Sequence, residues 1–193
     1  MLLFHLINPI LISARPELIL LRIRNMSCLV AFLACGLFVF FAEPAVAQKK
    51  MIILTRHAEK DNSIEADADD PDLTPNGRER AHRFANAVKR YRPQEIFVTE
   101  YKRTRQTAEP IARIRKLEIQ TYDSGRSADL AARILASRAT NFLIVGHSSS
   151  IPAFINLLMK KEIFKQLPDP EYGVYWIVRI KDGIVKKVEV FPY

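Results

Sequence analysis

Residues 51–59 have the sequence Met-Ile-Ile-Leu-Thr-Arg-His-Ala-Glu. The first four side chains are apolar, as in a buried strand, and Arg56 and His57 follow where that strand ends. Open α/β sheets bind ligands outside the carboxyl ends of their strands. An imidazole can attack phosphorus, and a guanidinium can hold two phosphate oxygens at once. This stretch therefore predicts a strand that brings a nucleophile and an anion-binding group to one edge of a sheet.

The rest of the chain alternates between apolar runs of strand length and segments of helical length. The pattern predicts further strands at 95–99, 117–122 and 142–145, and helices at 75–91, 103–116, 128–138 and 148–161. Two last apolar runs flank the Lys-Asp-Gly of residues 181–183, and Asp-Gly in that position indicates a hairpin. We expect a three-layer α/β/α sandwich with a mostly parallel sheet and an antiparallel closing hairpin at its edge.

A second histidine follows a second apolar strand. Residues 142–148 read Phe-Leu-Ile-Val-Gly-His-Ser, so His147 comes directly after the strand and a glycine that permits a sharp turn. If the two strands are parallel, His57 and His147 meet at one edge of the sheet. The helix after His147 directs its free N–H groups toward the same place. Arg103, at the start of the helix predicted at 103–116, can reach the same edge. With Arg56, these side chains predict a pocket for a phosphoryl dianion that contains a nucleophile.

Four short motifs occur in order along residues 50–150. They are Arg-His-Ala at 56–58, Leu-Thr-x-x-Gly at 73–77, Arg-Thr-x-Gln-Thr-Ala at 103–108, and the histidine after an apolar strand and Gly at 147. In these motifs the chain resembles the histidine phosphatase superfamily, also called phosphoglycerate mutase-like, with Ala58 in place of the glycine of the family's Arg-His-Gly. Within the superfamily it resembles the small bacterial phosphatases, such as the periplasmic lipopolysaccharide heptose-phosphate phosphatases and the short phosphohistidine phosphatases.

The resemblance implies a metal-independent hydrolase of phosphomonoesters or phosphohistidine that needs no cofactor. His57 is expected to attack phosphorus in line and become phosphohistidine, which water then hydrolyses. Arg56, Arg103 and His147 are expected to bind the phosphate and to stabilise charge in the transition state. The expected substrate is a small phosphorylated molecule or a phosphoprotein.

The motifs do not identify a proton donor for the leaving group. The family branch with Asp directly after the second histidine is excluded, because Ser148 occupies that position. Asp123, at the end of the third predicted strand, is the candidate by location, and capping of a helix is its alternative role. Glu118, Glu59 and Glu100 are further carboxylates near the motifs. Without a strong acid, the enzyme is expected to prefer good leaving groups, such as those of phosphohistidine or aryl phosphates.

Two other functions fit the same motifs. One is phosphoglycerate mutase-type phosphoryl transfer, for which the 146 residues of 48–193 are short. The other is a phosphate-ligand binding module without turnover. Nucleic acid binding is not expected, because the net charge is modest and no recognition motif occurs. The acidic loop, residues 59–72, is expected to be either a solvated mobile loop or a lid over the site.

The first 47 residues differ from the rest of the chain. An apolar run without charge, residues 29–41, follows two arginines and precedes the Ala-Val-Ala of residues 45–47. This order predicts a secretory signal peptide that is cleaved after Ala47. Met26 would be a natural start for such a signal. We therefore expect an exported, periplasmic domain at residues 48–193.

The alternative is a segment that is retained and anchors the domain in the inner membrane. The charge-free window at 25–42 has 18 residues, fewer than the ~20 that a spanning helix prefers. Association with a membrane is expected only in that case. Both cysteines, Cys28 and Cys35, lie in this segment, so residues 48–193 contain no thiol for a disulfide or a metal site.

Overall fold

The computed structural model describes residues 48–193, and the predicted signal peptide or anchor at residues 1–47 lies outside the described residues. Strands and helices alternate along this part of the chain. The strands are β1 (Lys49–Arg56), β2 (Glu95–Val98), β3 (Ile119–Thr121), β4 (Asn141–Gly146), β5 (Val174–Lys181) and β6 (Ile184–Pro192). The α-helices are α1 (Pro75–Val88), α2 (Lys102–Arg115), α3 (Ser127–Ala136) and α4 (Ser150–Met159). None of the helices within 48–193 is long and apolar enough to cross a bilayer.

The six strands form one sheet in the order β3-β2-β4-β1-β5-β6. β1, β2, β3 and β4 are parallel to one another, whereas β5 pairs antiparallel with β1 and with β6. The closing hairpin turns through Asp182 and Gly183, whose φ angles of 53° and 73° are those that an Asp-Gly turn adopts. The predicted mostly parallel sheet with an antiparallel edge is confirmed.

Helices cover both faces of the sheet and complete the predicted sandwich. Alternate residues of β1 point to opposite faces, so Ile53 packs in one core layer and Ile52 in the other. Phe84 of α1 and Ile111 of α2 belong to the first layer, and Phe154 of α4 to the second. Burial on both faces explains why β1 and β4 are continuous apolar runs and not alternating ones.

Three helical segments end within two residues of the predicted positions. Each is followed by a residue whose backbone lies in the left-handed region. Arg92 ends the 3-10 turn Lys89–Tyr91 that continues α1, Lys116 ends α2 and Lys160 ends α4, with φ between 52° and 55°. These positions usually carry glycine. Basic residues at a helix carboxyl end complement the helix dipole, which partly offsets the conformational cost.

The loop after β1 is joined to the start of α1. The backbone N–H of Thr74 donates to the carbonyl oxygen of Glu59 at 2.9 Å, and the Thr74 hydroxyl accepts from the N–H of Gly77 at 3.0 Å as the helix cap. A β-carbon on Gly77 would overlap the same Glu59 carbonyl oxygen. The glycine of the Leu-Thr-x-x-Gly motif is therefore needed for the close approach of two backbones beside the edge that carries His57.

We predict that Gly77→Ala lowers the free energy of unfolding by about 1–3 kcal/mol, because the new methyl group is forced against fixed backbone. In an open helix the same change would be stabilising by about 1 kcal/mol, so the sign itself is informative. Urea unfolding followed by circular dichroism measures the effect. Glu79→Ala, at an exposed position of α1, is the control and should change stability little. Equal or higher stability of Gly77→Ala would contradict the close approach.

Candidate active site

The two predicted site histidines are brought together by the pairing of β1 with β4. Arg56 lies opposite Gly146 in the parallel register, and the N–H of His57 continues the ladder by donating to the carbonyl oxygen of Gly146 at 2.9 Å. The rings of His57 and His147 are 5.3 Å apart between centroids and meet edge to face. The expected meeting of two imidazoles at the carboxyl edge of the sheet is thus present.

His57 has a defined tautomer. Its Nδ1 lies 2.7 Å from the carbonyl oxygen of Ala58, and a carbonyl oxygen can only accept, so Nδ1 carries the hydrogen. The residue is only 5% exposed, and this burial lowers the pKa of His57 to about 3. The hydrogen bond to Ala58 acts in the opposite direction, because it favours the charged form, but its effect is smaller. The charges of Arg103 and Arg56 lower the pKa further. At neutral pH the imidazole is therefore neutral, with the lone pair on Nε2.

His147 is oriented by a chain of hydroxyl groups. The Thr104 hydroxyl donates to the carbonyl oxygens of Thr99 and Tyr101, and the Thr99 hydroxyl donates to Thr104 Oγ1 at 3.2 Å. Thr99 Oγ1 is then left to accept from Nε2 of His147 at 2.8 Å. Burial lowers the pKa of His147 to about 4, with the nearby guanidiniums of Arg103 and Arg56 acting in the same direction.

Arg103 lies in the first turn of α2, next to the same edge. Its guanidinium stacks on the ring of Tyr101, 4.1 Å from the ring centroid, and Tyr101 also meets the ring of His147 edge to face at 5.1 Å. The side chain of Arg103 is 14% exposed. Stacking on an aromatic ring holds the planar guanidinium in place without using its N–H donors.

Arg56 is more deeply buried, at 7% exposure. Its guanidinium stacks on Tyr172, 4.3 Å from the ring centroid, and Tyr172 lies 6.3 Å from His57 between ring centroids. Nη1 is bonded to carbonyl oxygens of the segment after α4, but Nε is buried and has no hydrogen-bond partner among residues 48–193. An unpaired buried donor costs about 1–3 kcal/mol, so this N–H is suited to an incoming acceptor.

The predicted proton donor, Asp123, has a structural contact of its own. It is exposed, and its Oδ1 accepts the N–H of Gly125 at 2.7 Å to cap the 3-10 turn Ser124–Arg126. This is the capping role that the sequence allowed. Glu118 is exposed and precedes β3, so it lies at the end of the sheet opposite the histidines, and Glu100 is exposed after β2.

Glu59 is the remaining carboxylate that the sequence proposed, and it is held in an ion pair. Burial alone would raise the pKa of Glu59, but the hydrogen bond from Arg80 Nε at 2.7 Å reverses the shift and leaves the pKa below its usual value. A carboxylate whose ionised form is favoured is a poor proton donor. Asp123 and Glu59 are thus engaged in structural contacts, and Glu118 lies at the end of the sheet away from the histidines.

The acidic loop is docked on the amino end of α2. Asp70 Oδ1 accepts the backbone N–H of Lys102 at 2.8 Å and lies 3.9 Å from Nη1 of Arg103. Asp67 pairs with the ammonium of Lys102 at 3.1 Å. Part of the loop thus lies beside a predicted phosphate-binding arginine, as a lid would, whereas most of its side chains remain in solvent.

The other residues of the Arg-Thr-x-Gln-Thr-Ala motif connect elements of the site. The hydroxyl of Thr107 accepts the N–H of Ala58 at 3.0 Å and donates to the carbonyl oxygen of Arg103 at 2.7 Å. Gln106 accepts the N–H of Leu73 at 2.8 Å. These contacts fasten the loop after β1 to the helix that carries Arg103. The motif therefore supplies Arg103 and also fastens its helix to the loop that begins at His57.

Ala58 replaces the glycine of the family motif without strain. It is fully buried against Leu73 and Ala81, and it is not among the residues with a left-handed backbone. A methyl group at this position fills a small apolar layer beside the site.

The sequence did not identify Thr99, Tyr101 or Tyr172 as site residues. Tyr101 lies two positions before Arg103 and Thr99 ends the second predicted strand, so their place in the chain is a usable signal. Tyr172 has no such signal, because it lies in a connection that is remote in sequence from every motif.

The comparisons with known proteins agree with this geometry. The model of the Histidine phosphatase superfamily (branch 1) matches residues 52–124. "Mycobacterial hydrolase 1" has a TM-score of 0.61 at 14% identity, covering 76% of this chain and 99% of that one. The mycobacterial glucosyl-3-phosphoglycerate phosphatase has a TM-score of 0.59 at 13% identity, with 76% and 99% covered. The protein histidine phosphatase SixA, complexed with tungstate, has a TM-score of 0.59 at 18% identity, with 74% and 96% covered. No curated protein sequence matches the chain.

Identities this low establish a shared fold, and the family match adds the motifs from β1 through residue 124. The match over residues 52–124 bears out the resemblance to the histidine phosphatase superfamily in that part of the chain.

We predict that the protein loses stability as the pH falls from 7 to 5, partly through its two site histidines. In the unfolded chain a histidine has a pKa of about 6.5, whereas burial lowers the pKa of His57 to about 3 and that of His147 to about 4. The unfolded state therefore binds more protons below about pH 6.5, which lowers the free energy of unfolding by up to about 1.4 kcal/mol per pH unit for each histidine.

Urea unfolding at several pH values between 5 and 7 measures this slope, in a range where most carboxylates stay ionised. His57→Gln removes one of the two groups and should make the dependence on pH visibly shallower. Identical slopes for the two proteins would show that His57 is not held neutral by burial.

Proposed function

We propose that the protein hydrolyses phosphomonoesters or phosphohistidine through a covalent phosphohistidine intermediate on His57, without a metal ion. The observation that carries this proposal is the state of the His57 ring. It is neutral, its Nδ1–H is fixed on the carbonyl oxygen of Ala58, and the lone pair on Nε2 is available. Such a ring is a nucleophile for phosphorus at neutral pH.

In the first step Nε2 of His57 attacks phosphorus, and the bond to the leaving group breaks with its electron pair. The guanidiniums of Arg56 and Arg103 neutralise the phosphate oxygens, which is the contribution that a metal ion would otherwise make. A bound dianion favours the imidazolium form of His147, whose Nδ1–H can then donate to a phosphate oxygen. In the second step water attacks phosphorus, the P–N bond breaks, and Nε2 regains its lone pair.

The carboxylates point to the kind of leaving group. Asp123 caps a turn and Glu59 is paired with Arg80, so neither is placed or poised to give a proton to an alkoxide. A positioned general acid is worth about 10²–10⁴ in rate for a leaving group that needs protonation. Phosphohistidine and aryl phosphates need little assistance, and they are the substrates that this site favours.

We expect His57→Ala to reduce the turnover of p-nitrophenyl phosphate at least about 10³-fold, because the nucleophile is removed while the anion-binding groups remain. His82→Ala is the matched control, since His82 is exposed on α1, and it should keep full activity. The acid stability of the phosphate bound to the quenched enzyme identifies the phosphorylated residue. Phosphohistidine loses its phosphate in acid, whereas a phosphorylated serine or threonine keeps it.

Unchanged turnover in His57→Ala would contradict the proposed nucleophile. A wild-type protein that binds inorganic phosphate but turns over no phosphorylated compound would instead be the non-catalytic binding module. Transfer of phosphate between positions of phosphoglycerate, in place of release to water, would identify the mutase alternative.

A second prediction concerns the leaving group. The kcat/KM for an aryl phosphate should exceed that for an alkyl phosphate such as glycerol phosphate by about 10²–10⁴-fold, because no strong acid assists the alkoxide. Steady-state assays of phosphate release on both substrates measure the ratio. Equal values would reveal a proton donor that the side-chain contacts do not show.

A further inference from the structure

The connection between α4 and β5 contains a stretch that lies against Arg56. We call residues 167–172, with the sequence Leu-Pro-Asp-Pro-Glu-Tyr, the strap. Its first residue donates its N–H to the carbonyl oxygen of Ser148 at 3.0 Å, next to His147. Directly after it, the carbonyl oxygen of Gly173 accepts the N–H of Tyr193 at 2.9 Å. The strap is thus fastened at both ends to parts of the fold that flank the site.

The backbone of the strap surrounds one nitrogen of Arg56. Nη1 donates to the carbonyl oxygens of Asp169 at 2.8 Å, Pro168 at 3.0 Å and Glu171 at 3.3 Å. The N–H of Glu171 closes the turn on the carbonyl oxygen of Pro168 at 3.0 Å. Three acceptors around one nitrogen with two hydrogens leave Nη1 fully engaged.

The other two nitrogens of the guanidinium, Nη2 and Nε, have few contacts within residues 48–193. Nη2 has long contacts only, 3.4 Å to the hydroxyl of Tyr172 and 3.6 Å to the carboxylate of Asp169, whose side chain is 94% exposed. Nε is buried without a hydrogen-bond partner among residues 48–193. Nε–H and the neighbouring Nη2–H form the lateral fork of a guanidinium, and this fork matches two oxygens of a phosphate.

We propose that the strap is a positioning device for Arg56: its carbonyl oxygens fix Nη1, so that the Nε–H and Nη2–H fork is held ready for two oxygens of the substrate phosphate. This inference rests on the proposed function and deepens it. Pro168 and Pro170 restrict the backbone of the strap, and the ring of Tyr172 stacks on the flat face of the guanidinium. The orientation of the arginine is therefore set before the substrate arrives.

A double-mutant cycle separates this role from general support of the fold. The variant Pro168→Gly/Pro170→Gly loosens the strap but keeps all three backbone carbonyl groups that accept from Arg56. We expect its kcat/KM for p-nitrophenyl phosphate to fall roughly 10–100-fold, as misplacement of a substrate-binding group does. In an Arg56→Lys background, which has no fork to orient, the same two changes should cost no more than about twofold.

Lys165→Ala, at an exposed position just before the strap, is the matched control and should leave kcat/KM unchanged. Equal losses in the Arg56 and Arg56→Lys backgrounds would overturn the positioning role and leave the strap a structural element. A wild-type protein without phosphatase activity would contradict the proposed function and not the strap itself.

A second measurement tests the fork in the wild-type protein and does not depend on the folding of the strap variant. The Nε–H resonance of Arg56 is assigned by its loss in Arg56→Lys, and inorganic phosphate is then titrated into the wild-type protein. We expect a shift of this resonance that saturates with phosphate binding. Saturable phosphate binding that leaves the Arg56 Nε–H unmoved would overturn the proposed fork, and absence of phosphate binding would contradict the anion site on which the proposed function rests.

Discussion

The parallel pairing of β1 with β4 is the constraint on which the site depends. It places Arg56 opposite Gly146, so that the first residue after each strand is a histidine, and the centroids of the two rings are 5.3 Å apart. A shift of the register by one residue would move every side chain of β1 to the other face of the sheet. Because β1 and β4 are buried on both faces, such a shift would disrupt two core layers at once, and the geometry of the site follows from the packing of the whole domain.

Burial and positive charge have separate tasks at this edge. Burial keeps both imidazoles neutral, which leaves a lone pair on His57, while Arg56 and Arg103 bring positive charge to the same edge. Each guanidinium is stacked on a tyrosine, Arg56 on Tyr172 and Arg103 on Tyr101. The rings hold the charged planes in position without competing for their donors, and a preorganised cationic site of this kind needs little rearrangement when a phosphate binds.

The carboxylates around the site are engaged in structure. Asp70 caps the amino end of α2, Asp123 caps a 3-10 turn, and Glu59 is paired with Arg80 under the loop after β1. Negative charge on Asp70 and Asp123 is thereby committed to helix ends, and that on Glu59 to Arg80. In the proposed function, this distribution would favour binding of an anion and would give no help to a departing alkoxide.

Local chemistry in the sequence was sufficient for the architecture and for four side chains of the site. Apolar runs with Arg56-His57 and Gly146-His147 at their ends, Arg103 at a helix start and Asp182-Gly183 in a turn each have a short-range physical cause, and each lies where that cause predicts. The ends of the helices predicted at 103–116 and 148–161 lie within two residues of the observed ends, although a lysine there adopts the backbone that glycine usually provides.

Only the tertiary structure decided how Arg56 is held. Its contacts to Pro168 and Asp169 join positions 112 and 113 residues apart, and they use backbone carbonyl oxygens, which every residue has and no motif records. Likewise, the ion pair that keeps Glu59 ionised exists because α1 packs beside the loop after β1. The sequence therefore determines which groups carry the chemistry, whereas their orientation and charge state depend on neighbours that come close only in the folded chain.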